Sequence, residues 1–432
     1  MKKFLVLLLA VLMAVSTTLS LTACSGGGEE DKGPAEDVSL YKSGDGFEEV
    51  LDPLTWEAIN AFPVVHDGMT IEEGKDLVVD FFRFCKTAVW IPDDNYDYKI
   101  KDANENFESI TGFVKYGGLP YISLGSGNIY RLMDYMDPET HVVDIKAAGA
   151  KPKLFGNQCS FGSYIGAGRV INSAKYSWTK NMVPANGFIP VGDYTIQEGV
   201  TSYSGGGGYN TVKVLEENGA EKMYEAYAGL KKGDSIVYYT TAGHVVMISD
   251  DAVVERTADG KVDPAKSYVL VIDQTPGHSS MQNEAGDSFN YEKNVDAKWT
   301  FDKLFKGNYV PYTFGEWLGT DPIESSKTEY SYEGETITIN QVNGSVVTSN
   351  YGITDIYATV YHANGKEVYK LAIRATETSV MELKFNTKLA NADIWGDLET
   401  LNPKGEYTMK VYAQLSTGER PTLWEGKFIP EQ

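Results

Sequence analysis

GLKKGDSIVYYTTAGHVVMISDD, residues 229–251, reads as a turn at Lys231–Asp234, a strand SIVYY, a short turn ending in Gly243, and a second strand HVVMI. Alternating and β-branched residues on both sides of a glycine-bearing turn are the signature of an antiparallel hairpin. His244 stands at the start of the second strand, directly after the glycine. A histidine placed there is held by the ladder on one side and left open on the other. Strand histidines are often merely structural, so the neighbours must decide its role.

The next strand, YVLVIDQT (268–275), ends in two polar residues, Asp273 and Gln274. Successive side chains point to opposite faces of a strand, so only one of the two can address the imidazole. A carboxylate stabilises an imidazolium beside a thiolate, whereas an amide only orients it, which favours Asp273 over Gln274. Upstream lies GNQCSFGSYIGAGR (156–169), with small residues at Gly162, Ser163, Gly166 and Ala167 and apolar ones at Phe161 and Ile165. Its glycines lower helicity, so a helix here has to be held by packing. Such a helix places Cys159 at its N-terminal end, where unpaired N–H groups and the helix dipole favour a thiolate. Cysteine, histidine and an orienting polar group in this order are the parts of an activated nucleophile. The alternative is a Cys159 that serves only as a buried hydrophobe.

The remaining candidates are weaker. His66 and His141 lie in polar, loop-like segments, His278 follows Pro-Gly, and His362 adjoins a hairpin turn where exposure is expected. Cys85 lies in DLVVDFFRFCKTAVW (76–90), where Leu77, Val78, Phe81, Phe82, Cys85 and Val89 fall at helical spacing and read as core. A Cys85–Cys159 disulfide would remove the nucleophile and stays open at this point. The chain has no CxxC pair and no HxxxH, so a zinc site has no support.

The hairpin pattern L-K-x-G-D-strand-turn-G-H-V resembles the histidine-bearing hairpin of the NlpC/P60 cysteine peptidases. GNQCSFGSYI is similar to that family's D-C-S-G-F helix start, with Asn157-Gln158 replacing the preceding acid and Phe161-Gly162 transposed. YGGLPYISLGSG (116–127) resembles the family's G-x-P-Y segment, with Tyr121 as its tyrosine, which makes residues 128–155 an insertion. The third catalytic position, usually histidine in that family, falls on Asp273 with Gln274 its neighbour. The resemblance spans about 115–290. It implies a papain-like α+β domain in which Cys159 attacks a peptide carbonyl and His244 transfers the proton. Asp273 would orient the imidazole, and Tyr121 would assist the oxyanion. It implies hydrolysis of peptide bonds in peptidoglycan stem peptides, or of another extracellular peptide, with no metal or organic cofactor.

The N-terminal residues 1–24, MKKFLVLLLAVLMAVSTTLSLTAC, combine a basic start, a short apolar run and a lipobox-like Leu21-Thr22-Ala23-Cys24. They read as a lipoprotein signal peptide with Cys24 the lipidation site, and the polar segment SGGGEEDKGPAED within 25–39 as a flexible tether. The expected location is therefore the bacterial cell surface, anchored to the outer face of the plasma membrane. Lys+Arg 38 against Asp+Glu 60 gives a net charge of −22 with no basic stripe, which argues against nucleic acid as a partner.

Residues 40–324 then form the α+β domain with an N-terminal helical extension. Residues 325–432 change to short alternating segments joined by ANGK (363–366) and STGE (416–419) turns. ETITINQV (335–342) reads as one of these strands, and no helical pattern interrupts them. An all-β, immunoglobulin-like sandwich is expected, offering a surface for a wall or protein ligand. The proposed site lies wholly before it, so if the sandwich is independent a chain ending near Glu324 is expected to stay soluble and keep its thiol reactivity. The run Gly205–Gly208 reads as a mobile loop, and it is not a phosphate loop because no Gly-Lys-Ser/Thr follows. Two other functions fit the same residues: a transglutaminase-like acyl transferase, and a catalytically inactive extracellular scaffold or binding protein.

Overall fold

A computed structural model describes residues 53–99, 107–110, 112–113, 116–119, 121–122, 125–150, 156–172, 178–274, 281–282, 288–289, 295–375, 380–386 and 392–430. The architecture is mixed α+β with a β-rich C-terminal part.

Helix α1 spans Ile71–Thr87 and opens with a capping box, in which the Thr70 hydroxyl takes the Glu73 N–H and the Glu73 carboxylate takes the Thr70 N–H. Leu77, Val78, Phe81, Phe82 and Cys85 are all buried, as their spacing requires. Val89 was expected on the same stripe, but the helix stops at Thr87, and Val89–Pro92 is a strand. The proline and the β-branched residues there disfavour helix. Helix α2 spans Cys159–Ala167 and packs on α1 through its small residues. A Cβ on Gly166 would lie 2.6 Å from the Phe82 Cβ, and one on Gly162 would lie 2.9 Å from the Gln274 Cβ. Close approach to α1 and to the residue after a strand is therefore what those glycines permit.

Beside the two helices lies an antiparallel sheet of six strands: β1 (Ile189–Pro190), β2 (Ser235–Tyr239), β3 (Gly243–Val253), β4 (Tyr268–Ile272), β5 (Ala297–Thr300) and β6 (Val310–Thr313). Their spatial order is β5-β4-β3-β2-β6-β1. The Met247 side chain of β3 reaches within 3.2 Å of the Cβ position of Gly166, so α2 lies against the middle of this sheet. Helices α3 (Thr211–Asn218) and α4 (Ala220–Ala228) pack on β2, β3 and β6, and α5 (Phe301–Lys306) follows β5.

The C-terminal part is one hydrogen-bonded sheet of eight strands. These are β7 (Thr328–Tyr330), β8 (Thr336–Ile337), β9 (Val346–His362), β10 (Glu367–Arg374), β11 (Val380–Lys384), β12 (Ala392–Trp395), β13 (Tyr407–Leu415) and β14 (Thr422–Phe428). Strand β9 is the spine: its first half pairs with β7 and β11, its second half with β10 and β13. Gly365 and Gly418, at φ of +84° and +91°, form the two hairpin turns expected at 363–366 and 416–419. ETITINQV departs from its expected single strand. Only Thr336–Ile337 is strand, and Ile339–Val342 is a helical turn started by a Thr338/Gln341 capping box.

Buried charge joins the two parts. Arg131, in the short helix Ile129–Met133, is fully buried and donates from Nε to Asp355 on β9 at 2.8 Å and from Nη2 to the Thr354 carbonyl at 2.8 Å. Asp134 pairs with Lys370 and Arg374 of β10 at 2.7 Å each. Residues 128–134 thus carry buried contacts to the C-terminal sheet. Removing the C-terminal sheet would strip Arg131 and Asp134 of these partners.

Candidate active site

Cys159 is the first residue of α2. Gln158 before it has extended geometry at φ −95° and ψ 175°, and the first backbone bond across the helix start runs from Gly162 N–H to the Gln158 carbonyl. The N–H groups of the first turn therefore point outward, as at any helix start. Small residues at 162, 163 and 166 let this end of the helix approach α1 and β3.

His244 follows Gly243 at the start of β3 and lies opposite Tyr238 of β2. Glycine at 243 is a packing requirement, because a Cβ there would lie 2.1 Å from the Thr179 hydroxyl. Asp273 comes immediately after β4. The β3–β4 register, with Met247 opposite Ile272, carries it back toward the first residues of β3. His244 Nε2 and Asp273 Oδ1 are 2.7 Å apart, with side-chain exposures of 13% and 8%. Cys159 adjoins the same imidazole and, like Asp273, favours its charged form. Burial works against a charged imidazole here, but the Asp273 carboxylate and Cys159 outweigh it and hold His244 well above the ordinary histidine range. The arrangement can hold a proton on the imidazole beside a sulfur nucleophile at neutral pH. Neither Cys85 nor Cys159 is in a disulfide, which closes the alternative left open by the sequence.

Gln274 does not share the imidazole. Its Nε2 donates to the carbonyls of Leu119 and Asn157 at 3.4 Å each, and its Oε1 accepts from Lys86 Nζ. Of the two candidates at the strand end, Asp273 is the one brought to the histidine. Tyr121 is half-buried, its backbone forms a bridge with Asn157, and Ile122 N–H donates to the Asn157 carbonyl at 2.9 Å. That bridge fixes the backbone just before Cys159.

His66, His141 and His362 are exposed and away from this cluster. Cys24 and His278 lie outside the described residues, as do residues 1–39 with the expected signal peptide and tether. Among the described residues no helix is long and apolar enough to cross a membrane, and no group of three or more His, Cys, Asp and Glu side chains converges as a metal site would. The Gly205–Gly208 run is a closed turn, with Ser204 N–H donating to the Tyr209 carbonyl at 2.8 Å. Gly205 packs against the Thr240 carbonyl in the turn that precedes His244, so the run borders the site.

The sequence reading missed Lys86. It lies four residues after Phe82 and eight after Val78, on the apolar stripe of α1, and a lysine on such a stripe was the available signal. No protein-family model matches the chain, and no curated protein matches it.

Proposed function

We propose that this protein is a lipid-anchored cysteine peptidase or amidase of the bacterial cell surface. Its substrate class is extracellular peptide, with peptidoglycan stem peptides as the leading candidate. The reading places an NlpC/P60-like, papain-like domain before an immunoglobulin-like module. The observation that carries it is the imidazole of His244, held by the Asp273 carboxylate at 2.7 Å and lying beside Cys159 at a helix start.

In the reaction, the Cys159 sulfur attacks the peptide carbonyl carbon and the carbonyl π electrons move onto oxygen. The N–H of Cys159, with the Tyr121 hydroxyl, stabilises that oxyanion. The tetrahedral species collapses as the C–N bond breaks, and the His244 imidazolium gives its proton to the departing amine. A thioester remains. Water, losing a proton to His244, attacks it and releases the acid, and the thiol is restored. Asp273 holds the ring in place.

Iodoacetamide labelling tests the reading without a known substrate. Alkylation at pH 6 that is fast and confined to Cys159, and is lost in His244→Ala, is expected. Labelling of Cys159 no faster than a small-molecule thiol would leave the inactive-scaffold reading in its place. A peptide product carrying a new amide bond to an added amine, in preference to the hydrolysed acid, would move the protein to the acyl transferases.

A further inference from the structure

Beneath the thiol–imidazole cluster lies a charge that the reaction above does not use. Lys86, in the last turn of α1, is 1% exposed, and so is Gln274, whose Oε1 accepts from its ammonium. Burying an ammonium is costly unless its charge is compensated. A methionine would fill the same apolar stripe without that cost. The ammonium therefore needs a reason.

Two connections lead from it to the site. Through Gln274, which also donates to the Asn157 carbonyl, Lys86 is linked to the backbone two residues before Cys159. Gln274 also directly follows Asp273 in the chain, and the Asp273 carboxylate attracts the Lys86 ammonium. The same Asp273 carboxylate holds His244 at 2.7 Å, so Lys86 and the imidazole share a counter-charge. We infer that Lys86, held by Gln274, is a positioning residue that favours the thiolate of Cys159 and fixes the start of α2. The inference rests on the thiol–imidazole reading of the site.

The surroundings leave few competing charges. Lys303 on α5 faces the same carboxylate, and its Nζ lies 3.8 Å from the ring centre of Trp299. Cys85, next to Lys86, is buried, and burial pushes its thiol far up, so it stays neutral. Arg169 faces Cys85 from the end of α2. Burial pulls Lys86 itself down to about 8, and Asp273 opposes this, so the ammonium persists through neutral pH.

A nearby positive charge favours thiolate and disfavours imidazolium, so its removal moves both limbs of the pH profile upward. The test is the rate of Cys159 alkylation by iodoacetamide between pH 4 and 10 on the full chain, with Cys85 resolved by peptide mass. Lys86→Met is expected to raise the acid-side midpoint by about half a unit to one unit. Gln274→Glu leaves the ammonium in place but neutralises it with a carboxylate. It is expected to move the midpoint the same way, and it decides the matter should Lys86→Met fold poorly. A purely structural role would lower Tm and leave the midpoint where it was. A Gln274→Glu protein that folds and keeps its acid midpoint within about 0.2 unit of wild type overturns the inference. Failure of the underlying reading looks different: wild-type Cys159 would then titrate near the ordinary thiol value of about 8.5, with no acid-side limb to tune.

Discussion

The cluster around His244 and the junction around Arg131 both bury ion pairs, and they differ in access to solvent. His244 and Asp273 keep 13% and 8% of their side chains exposed, beside the hairpin turn and the glycine run. Arg131, Asp355 and Arg374 keep none, and Asp134 keeps 2%. At the junction each carboxylate is held more than once: Asp355 by Arg131 at 2.8 Å and Arg374 at 3.2 Å, Asp134 by Lys370, Arg374 and the Tyr357 hydroxyl. Burial disfavours an ionised Asp134, yet Arg374, Lys370 and Arg420 hold it well below the usual carboxylate range. The first pair keeps a little contact with solvent. The closed network has almost none, and its directional bonds can only fix how one sheet docks against the other part. Buried pairs of that kind add little net stability over apolar residues, but breaking one is costly.

The largest effects separate the two regions by what they disturb. His244→Ala is expected to lower turnover on any accepted peptide by about 10³-fold or more while Tm changes little. Asp273→Asn should cut turnover sharply and move the onset of Cys159 alkylation to higher pH. His66→Ala and His141→Ala should stay within a few-fold of wild type. Steady-state kinetics beside thermal melts would show whether activity and stability part in this way, and a large fall in Tm for His244→Ala would make the cluster structural.

At the junction the pattern should reverse. Arg131→Met leaves Asp355 with one arginine fewer and is expected to cost about 3–5 kcal/mol in urea unfolding, with Cys159 alkylation unchanged in the folded fraction. A chain ending at Glu324 should be less stable than the full chain or aggregate. A truncated protein as stable as the full chain would reduce the network to a surface contact.

Another buried carboxylate, Asp234, sharpens the contrast because it lacks a tight ion pair. Asp234 closes the turn before β2 by accepting the Lys231 N–H at 2.8 Å. Burial pushes it up to about 7, although its hydrogen bonds and Lys75 pull the other way. An unfolded chain ionises this group near pH 4, so between about 4 and 7 the folded protein binds the extra proton. Stability from this residue therefore falls as pH rises through that window, by up to about 4 kcal/mol, and levels off above it. Asp234→Asn should flatten that part of a urea-derived stability curve. An unchanged slope would assign the pH dependence to other groups.

The smallest expected effect is on α1, which carries Lys86. Thr70→Ala removes the capping box and should cost about 1 kcal/mol in urea unfolding, without moving the pH profile of Cys159. A shift in that profile would mean that the exposed cap, some four turns away along the helix, is coupled to the site.

Legibility followed the range of the interactions. The hairpin that bears His244, the helix start at Cys159 and the polar end of β4 are short segments whose residue pattern states their geometry. Choosing Asp273 over Gln274 needed only strand alternation and a charge argument, and the 2.7 Å contact to His244 agrees with it. ETITINQV was misread because alternation continues through a capping box, and Thr338 and Gln341 satisfy the helix start locally. Choosing Asp273 leaves Gln274 without a role that the sequence can name. Its partner Lys86 lies 188 residues earlier in the chain, and no local pattern pairs them.

The sequence by itself determined the local pieces: two helices with buried stripes, a histidine fixed by a glycine turn, and a strand-rich C-terminal part. Each follows from periodicity, turn chemistry and burial of apolar side chains over a few residues. Only the tertiary structure decided which charges meet. Arg131 finds Asp355 across 224 residues, and His244 finds Asp273 across 29, because burial removes water and each charge is then held by the partner that the packing brings near. A sequence records the charge of each group but not the neighbour that compensates it.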